Sequence, residues 1–182
     1  MKTGGSLRSL GSLILPSLSA WRMRKTASAP VASLLPAPAG LPDGPSAPPR
    51  GRWVDGYLSA IEWRGVRGSF NAPGPATYWG RMRYPLVPEE EPSPLERVLA
   101  VADSGNGASW ELDIARWLFI NPELTVHLHR EAVGEWICLD AQTAVSTGGT
   151  GLATSVLSDL DGPLGVGAQS LLIAPRPAPA DR

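Results

Sequence analysis

The sequence has one cysteine, two histidines and no surplus of basic residues. Because a lone cysteine can form neither an internal disulfide nor a cysteine-rich metal site, it fits a reducing compartment, and we expect a cytoplasmic location. The 16 basic residues are offset by 17 acidic ones, so the chain lacks the positive charge that binds phosphates, and we expect no nucleic-acid partner. It also lacks any run of about 18 apolar residues, which argues against a membrane span.

Composition divides the 182 residues into three parts. Residues 1–50 are rich in Ser, Ala, Pro and Leu without a clear period, which predicts a disordered or linker-like leader. The basic start and the apolar stretch at 10–18 also fit a targeting peptide, but Pro16 interrupts that stretch and we favour the linker interpretation. Residues 51–174 hold six of the seven tryptophans and form the predicted domain, and the Pro- and Ala-rich residues 175–182 form a predicted disordered tail.

Within the predicted domain, sequence patterns indicate an α+β fold. The segments predicted as strands, all rich in branched and aromatic residues, are 57–70, 76–84, 124–130, 136–143, 152–160 and 164–173. Between the second and third, Ser93 and Glu96 match a capping box with Pro94 at the first helical position. The apolar residues that follow recur every three or four positions, so we expect one long helix that ends or bends at Gly105 and Gly107. The predicted architecture is therefore a long helix packed on an antiparallel sheet.

Three polar residues are candidates for chemistry. Asp103 follows the apolar stripe of the helix, where a carboxylate can be half-buried against the sheet, and a helix-end Asp facing water is the alternative interpretation. Gln169 lies in step with Leu171 on the last strand, so its amide needs hydrogen-bond partners if that face is buried, and it is an edge residue otherwise. Asn121 is either a third polar partner or a turn residue before Pro122.

Metal binding and common nucleophile motifs find little support. His127 and His129 point to the same face of one predicted strand, but they are the only histidines, and a third ligand would have to be a carboxylate such as Asp140. The sequence contains no G-x-S-x-G nucleophile elbow, and its glycine pairs do not match a phosphate-binding loop. We therefore expect no metal and no nucleotide cofactor.

Two segments, Leu95–Gly107 and Leu118–Arg130, resemble the carboxy-terminal hotdog domain of thioesterase II-like acyl-CoA thioesterases, particularly actinobacterial proteins of that family. Gly134–Asp140 and Gly167–Ser170 continue the resemblance, which covers about residues 56–173. The Ala-Asp pair at the helix end and the His-Arg pair that closes the strand are its most specific pieces. The resemblance implies a hotdog fold and the hydrolysis of acyl-CoA thioesters to a free acid and CoA, a step of lipid metabolism that uses neither a metal nor a redox cofactor.

The same resemblance assigns a candidate catalytic site. In thioesterase II, an Asp, a Thr and a Gln hold the water that attacks the thioester carbonyl, and by position these fall on Asp103, Asn121 and Gln169. Asn121 is a departure, since Asn donates and accepts hydrogen bonds but presents no hydroxyl. Asp103 is expected to accept a proton from the water while the amides fix its approach, and direct attack and an acyl-enzyme on Asp103 both stay open.

Members of this family resemble two hotdogs fused in one chain, with sites where the halves meet, whereas we expect only the second half here. The chain then either pairs with another hotdog or is a shortened product with an incomplete site. We therefore expect a homodimer or a complex with another hotdog subunit, with the acyl-CoA site near the interface. Four aromatic residues that we expect on the sheet face opposite the helix would form that interface: Trp63, Tyr78, Trp79 and Trp136. The alternative function is a non-catalytic hotdog that binds acyl groups or stabilises a partner subunit. A hotdog dehydratase is a third possibility, but neither histidine lies in a matching motif.

Overall fold

A computed structural model of the chain describes residues 17–21, 23, 35–46 and 56–177. The chain divides into two compact units, Met1–Ala32 and Ser33–Arg182. The described residues of the first unit have no regular secondary structure and are exposed. Most of the predicted leader and the end of the predicted tail lie outside the described residues, so their predicted disorder stays a prediction.

The described part of the second unit contains seven strands and two short helices. In chain order they are β1 Ile61–Arg67, β2 Ala76–Met82, α1 Pro94–Ala102, α2 Gly105–Ala108, β3 Trp117–Ile120, β4 Thr125–Leu128, β5 Ile137–Val145, β6 Thr150–Asp159 and β7 Gly162–Pro175. All strand pairs are antiparallel and form one sheet in the order β1-β2-β5-β6-β7-β3, with β4 also paired to β7. The antiparallel sheet and the six predicted strands are thus confirmed.

The single long helix predicted from the sequence is wrong. The capping box of Ser93 and Glu96 is present, but α1 has only nine residues and ends at Ala102 with Asp103 as its C-cap residue. A separate four-residue helix, α2, follows after Ser104. Glycine is a poor helix former, and two glycines in four residues supply little to extend α1 through this segment.

The strand β3 is the element that the sequence patterns miss. Its four residues, Trp-Leu-Phe-Ile, are all apolar and show no alternation, so they carry no period that distinguishes a strand from a helix. The first predicted strand is also shorter than expected, because residues 56–60 form turns before β1 begins.

The main core lies between α1 and the inner face of the sheet, which is the face toward the helices. Val98, Val101 and Ala102 of α1 are at most 1% exposed and pack in one cluster with the inner side chains of the strands. Trp63 and Tyr78 belong to this same cluster and make edge-to-face contact with ring centroids 6.1 Å apart. The core is therefore closed by aromatic residues of β1 and β2.

The expectation that the four aromatic residues form an exposed interface is wrong. Trp63 and Tyr78 face the helix, and Trp79 and Trp136 lie in a separate cluster that Leu41 packs against. All four are 9% exposed or less within this chain. The burial of Trp79 and Trp136 follows from a segment upstream of the predicted domain, which covers the second cluster.

That segment, Leu35–Ser46, contacts the sheet at several points. The backbone carbonyl of Ala39 accepts a hydrogen bond from Trp79 Nε1 at 3.1 Å, and the carbonyl of Pro42 accepts one from Arg64 at 3.0 Å. The backbone N–H of Ser46 donates to the carbonyl of Trp63 at 3.0 Å. Part of the predicted leader is thus packed on the domain, while the predicted boundary at residue 51 lies outside the described residues and stays a prediction.

A buried ion pair stabilises the end of the sheet at the β6–β7 hairpin. Asp159, at the end of β6, is fully buried, and its two carboxylate oxygens accept hydrogen bonds from Arg130 at 2.5 and 2.7 Å. The same carboxylate accepts the backbone N–H groups of Val133 and Asp161. Burial alone would raise the pKa of Asp159, but the hydrogen bonds from Arg130 and the two backbone groups outweigh it and lower the pKa. The pair joins the chain after β4 to the β6–β7 hairpin.

We predict that Arg130→Met lowers the free energy of unfolding by about 3 kcal/mol, because it leaves a buried carboxylate without its cation. Arg116→Met, at an exposed position, is the matched control and should change it by less than about 0.5 kcal/mol. Denaturant unfolding followed by tryptophan fluorescence measures both.

The pH dependence of this difference follows from the lowered pKa of Asp159. Stability from a carboxylate with a lowered folded-state pKa is fully present above the unfolded-state pKa of about 4 and is lost as pH falls through the folded-state value. The difference in the free energy of unfolding between the parent and Arg130→Met should therefore decrease below about pH 4. If this difference in the free energy of unfolding stays constant below about pH 4, the ion pair does not account for the lower stability of Arg130→Met.

Candidate functional site

The structure brings together the three side chains that the sequence singled out. Asp103 lies at the C-terminal end of α1, Asn121 directly follows β3, and Gln169 lies on β7. One oxygen of the Asp103 carboxylate, Oδ1, accepts a hydrogen bond from Asn121 Nδ2 at 3.0 Å and another from Gln169 Nε2 at 3.3 Å. Residues separated by 18 and 66 positions in the sequence thus converge on one carboxylate.

Asp103 combines features of both interpretations of its position. It is exposed, as expected for a helix-end Asp, yet its carboxylate is held by two side chains of the sheet. Within residues 35–46 and 56–177, hydrogen bonds reach Oδ1 and none reaches the second oxygen, Oδ2. The carboxylate is therefore oriented through one oxygen, and the other is left as a possible acceptor on an exposed residue.

Gln169 is the buried member of the site. It lies on the inner face of β7 and is only 2% exposed. Its Nε2 donates to the backbone carbonyl of Asp103 at 3.1 Å as well as to Oδ1, and its Oε1 accepts the backbone N–H of Asn106 at 2.9 Å. Both ends of the buried amide are thus satisfied, which avoids a cost of about 1–3 kcal/mol for an unpaired polar group.

A break between β3 and β4 makes room for Asn121. The register of β3 along β7 stops at Leu172 and that of β4 starts at Ala168, so three residues of β7 are skipped. Glu123 occupies the gap, and its carboxylate accepts the backbone N–H of Ser170 at 2.6 Å and the hydroxyl of Thr125 at 3.0 Å. These hydrogen bonds lower the pKa of Glu123, with the Ser170 backbone group contributing most. The chain can therefore leave the sheet at Asn121 and reach Asp103.

Sequence reasoning missed Asn106. Its side-chain Nδ2 donates to the backbone carbonyl of Phe119 at 3.1 Å and to Asn121 Oδ1 at 3.4 Å. Asn106 lies in a Ser-Gly-Asn-Gly segment whose composition is typical of a flexible turn, so no sequence pattern marks it as part of a site. In the structure this segment forms α2 and packs on the sheet.

Ser104 and Tyr57 also escaped the sequence analysis. Ser104 is 3% exposed, and its hydroxyl lies 3.0 Å from that of Tyr57, which donates to the backbone carbonyl of Ala100. Desolvation raises the pKa of Tyr57 to about 12, the hydrogen bond from Ser104 opposes this, and the negative charge of Asp103 adds to it. Tyr57 is thus a neutral donor that ties the residues before β1 to the last turn of α1.

In the described part of the chain, the structure gives less support to metal binding or to a reactive thiol than to a site at Asp103. No group of three or more His, Cys, Asp and Glu side chains converges there, and both His127 and His129 are exposed on or just after β4. Asp140, the carboxylate considered as a third ligand, instead accepts hydrogen bonds from Arg67 at 2.9 Å and Thr77 at 2.8 Å. Desolvation, aided by the charge of Asp140, raises the pKa of the buried Cys138 thiol to about 12.

The chain has a short helix on the inner face of an antiparallel sheet and a carboxylate at the end of that helix. Residues 37–173 match the family described as acyl-CoA thioesterase C-terminal domain, and the chain belongs to that family. The match begins upstream of the predicted boundary at residue 51, within the segment that packs on the sheet. No curated protein matches the sequence.

Solved structures support the hotdog fold. The chain is similar to an acyl-CoA thioesterase II, TesB2, from Mycobacterium marinum, with a TM-score of 0.53 and 15% identity over 85% of this chain and 61% of that one. A protein of unknown function with a hot dog fold from Alicyclobacillus acidocaldarius gives a TM-score of 0.53 and 15% identity over 86% and 59%. A candidate thioesterase from Novosphingobium aromaticivorans gives 0.51 and 25% identity over 82% and 58%. The chain thus spans about three fifths of the length of these proteins.

Proposed function

We propose that the protein hydrolyses acyl-CoA thioesters to a free acid and CoA, with Asp103 as its catalytic residue and with Asn121 and Gln169 as the residues that position it. The observation that carries the proposal is the pair of amide donors on Asp103 Oδ1, which leaves Oδ2 to accept a hydrogen bond from a water. Membership of the acyl-CoA thioesterase family supports this choice of substrate.

In the proposed reaction, Asp103 acts as a general base. A water bound at Oδ2 gives a proton to the carboxylate as its oxygen attacks the thioester carbonyl carbon, forming a tetrahedral intermediate. The intermediate then collapses, the carbon–sulfur bond breaks, and the CoA thiolate takes the proton back from Asp103. The two amides hold the carboxylate in one orientation. The position of a water bound to it is therefore set before the reaction begins. Attack by Asp103 itself, through an acyl-enzyme, is the other route to the same products.

Asn121 takes the place of the threonine that the family resemblance implies. Its Nδ2 makes the shortest side-chain hydrogen bond to Asp103, at 3.0 Å. A threonine hydroxyl can donate the same kind of hydrogen bond, so the replacement preserves a donor to Oδ1 while removing a hydroxyl. We propose that Asn121 orients Asp103 and has no direct part in the chemical step.

We also propose that the active protein is a homodimer or pairs with another hotdog subunit. Three exposed apolar residues form a neighbouring group on the outer face of the sheet: Ile120, Leu152 and Leu172, at 49%, 47% and 54% exposure. Contiguous exposed apolar area of this kind is typical of an interface, and β1 and β3 are edge strands, a type of element that can pair with another chain. Because Asp103 is exposed, a partner near it would also exclude bulk water from the site.

The remaining expectations from the sequence belong to the same proposal. They are a cytoplasmic location, a place in fatty-acid metabolism and a domain bounded by residues 51 and 174. No helix in the described ranges is long and apolar enough to cross a membrane. The alternative function is a non-catalytic hotdog that binds acyl groups or stabilises a partner subunit.

Replacing Asp103 with Asn tests the proposed base. Asp103→Asn keeps the size of the side chain and removes its basicity, so hydrolysis should fall by about 10²-fold or more while the melting temperature stays close to that of the parent. Release of free thiol from a panel of acyl-CoA substrates measures the rate. Asp113→Asn, at an exposed turn position, is the control and should match the parent. Unchanged hydrolysis in Asp103→Asn would remove this residue from the mechanism, and an inactive parent would favour the non-catalytic alternative.

Two substitutions test the role of Asn121. Asn121→Thr restores the residue implied by the family and should retain or raise activity, because its hydroxyl can still donate to Asp103. Asn121→Ala should lower kcat about tenfold, which corresponds to the loss of one orienting hydrogen bond of roughly 1.4 kcal/mol. If both variants hydrolyse acyl-CoA like the parent, Asn121 is only a turn residue before Pro122.

Analytical ultracentrifugation at micromolar concentration tests the assembly. The parent chain has a mass of 19.2 kDa and should sediment at twice that mass or more, either alone or with a hotdog partner. Leu172→Lys should shift it toward the monomer and lower hydrolysis, whereas Leu160→Lys, at the exposed tip of the β6–β7 hairpin, should do neither. A folded monomer that hydrolyses acyl-CoA at the full rate contradicts both the pairing and the shared site.

A further inference from the structure

We propose that Asn106 is a positioning residue, and that together with the adjacent Gly105 it fixes which end of the Gln169 and Asn121 amides faces Asp103. The inference rests on the proposed function, since the orientation of these amides matters for turnover only if Asp103 activates the water. It adds a residue that neither the sequence patterns nor the family resemblance assigns to the site.

A carboxamide group is nearly symmetric in shape. The oxygen and the NH2 group of an amide have nearly the same size, so a rotation by 180° exchanges them with little change in packing. For Gln169 and Asn121, that rotation would turn a carbonyl oxygen toward the carboxylate of Asp103 and replace an attraction with a repulsion. A reliable site therefore needs a contact at the far end of each amide that tolerates only one orientation.

Asn106 makes that contact for both amides. Its backbone N–H donates to Gln169 Oε1 at 2.9 Å, and its side-chain Nδ2 donates to Asn121 Oδ1 at 3.4 Å. Because an N–H group can only donate, each amide must turn its oxygen toward Asn106 and its NH2 group toward Asp103. Asn106 thus favours one direction for two hydrogen bonds to the same carboxylate oxygen, and for Gln169 the backbone carbonyl of Asp103, which accepts from Nε2 at 3.1 Å, favours the same direction.

The orientation of Asn106 is itself determined by the backbone. Its Nδ2 also donates to the carbonyl of Phe119 at 3.1 Å, and a backbone carbonyl can only accept. The NH2 group of Asn106 must therefore point toward the end of β3, where Asn121 follows. The direction of the hydrogen bonds is fixed from Phe119 through Asn106 and Asn121 to Asp103.

The fixed orientation of the two amides matters during turnover. When Asp103 holds the proton taken from water on Oδ2, Oδ1 remains a carbonyl-type oxygen that still accepts from both amides. Asn106 opposes rotation of either amide, because that rotation would bring an NH2 group against an N–H donor. Both amides thus keep their donors toward Asp103 while it is protonated, and the site returns to its starting arrangement when the proton leaves.

Gly105 is required for the close approach of Gln169. A Cβ atom at Gly105 would lie 2.8 Å from Gln169 Oε1, so an alanine there displaces the far end of the Gln169 side chain. Gly107, two residues along the same helix, has nothing within 4 Å of the equivalent position. Alanine favours a helix at either position, so the two substitutions have the same effect on the backbone and differ only in their contact with Gln169.

This pair of glycines gives a matched activity test. Gly105→Ala should lower kcat about tenfold or more with KM within about twofold of the parent, and Gly107→Ala should leave both unchanged. Asn106→Ala keeps the backbone N–H that Gln169 accepts and removes the side chain that orients Asn121, so it should lower kcat to the same extent as Asn121→Ala. Normal kcat in both Gly105→Ala and Asn106→Ala, alongside an inactive Asp103→Asn, would overturn the positioning role and leave the proposed function standing.

Double substitutions separate positioning from a general structural role. If Gly105 acts only through Gln169, then Gly105→Ala combined with Gln169→Ala should be no slower than Gln169→Ala alone. The same holds for Asn106→Ala combined with Asn121→Ala. Losses that multiply in either pair would mean that Gly105 or Asn106 acts on turnover by a different route, and the inference would be wrong.

An NMR measurement tests the same point without any hydrolysis. The sequence has only three asparagines and two glutamines, so five side-chain NH2 groups can be resolved and assigned by substitution. The Gln169 NH2 signals should move in Asp103→Asn and in Gly105→Ala and stay in place in Gly107→Ala. Signals of Gln169 that are unaffected by Gly105→Ala would overturn the inference, whatever the activity of the parent proves to be.

Discussion

The buried carboxamide of Gln169 is the constraint on which the site depends. On the inner face of β7 it is 2% exposed and cannot turn to water, so its donor and its acceptor must both find partners in the protein. The donor is satisfied by the end of α1 at Asp103, and the acceptor by the first turn of α2 at Asn106. These two requirements place the helix break opposite the middle of β7. The same hydrogen bonds leave the Asp103 carboxylate held on one side and open on the other.

An aspartate carboxylate lies at each end of the sheet, and the two carboxylates have different roles. At the β6–β7 hairpin, Asp159 is fully buried and paired with Arg130, so its charge stabilises the fold. Asp103 is exposed and, within residues 35–46 and 56–177, its carboxylate accepts hydrogen bonds from neutral amides at one oxygen. That leaves its second oxygen for a water, whereas both oxygens of Asp159 are used by Arg130 and backbone N–H groups. The environment of each residue therefore distinguishes the structural carboxylate from the proposed catalytic one.

The sequence carries the coarse fold and the centre of the site but not the contacts that orient it. The capping box at Ser93 and the period of α1 locate the helix, and the alternation on β7 places Gln169 on the buried face. Gly105 and Gly107 indicate that the helix ends or bends near Ser104, but the hydrogen bonds that hold the break against β7 span more than 60 residues and follow no local pattern. The same is true of Asn106, which lies in a glycine-rich segment typical of a turn. The burial of Trp79 and Trp136 does not follow from the sequence, because the covering segment around Leu41 resembles a linker in composition.

The central claim is that the open oxygen of Asp103 faces the carbonyl of a bound acyl-CoA, with one water between them. A crystal structure with a non-hydrolysable thioether analogue of acyl-CoA tests it most directly. The account predicts a water within about 3 Å of Asp103 Oδ2 and about 3–3.5 Å from the carbon that corresponds to the thioester carbonyl. Gln169 and Asn121 should still donate to Oδ1 in that complex. An analogue bound with its reactive centre elsewhere on the chain, or with that centre remote from Asp103, would contradict the account.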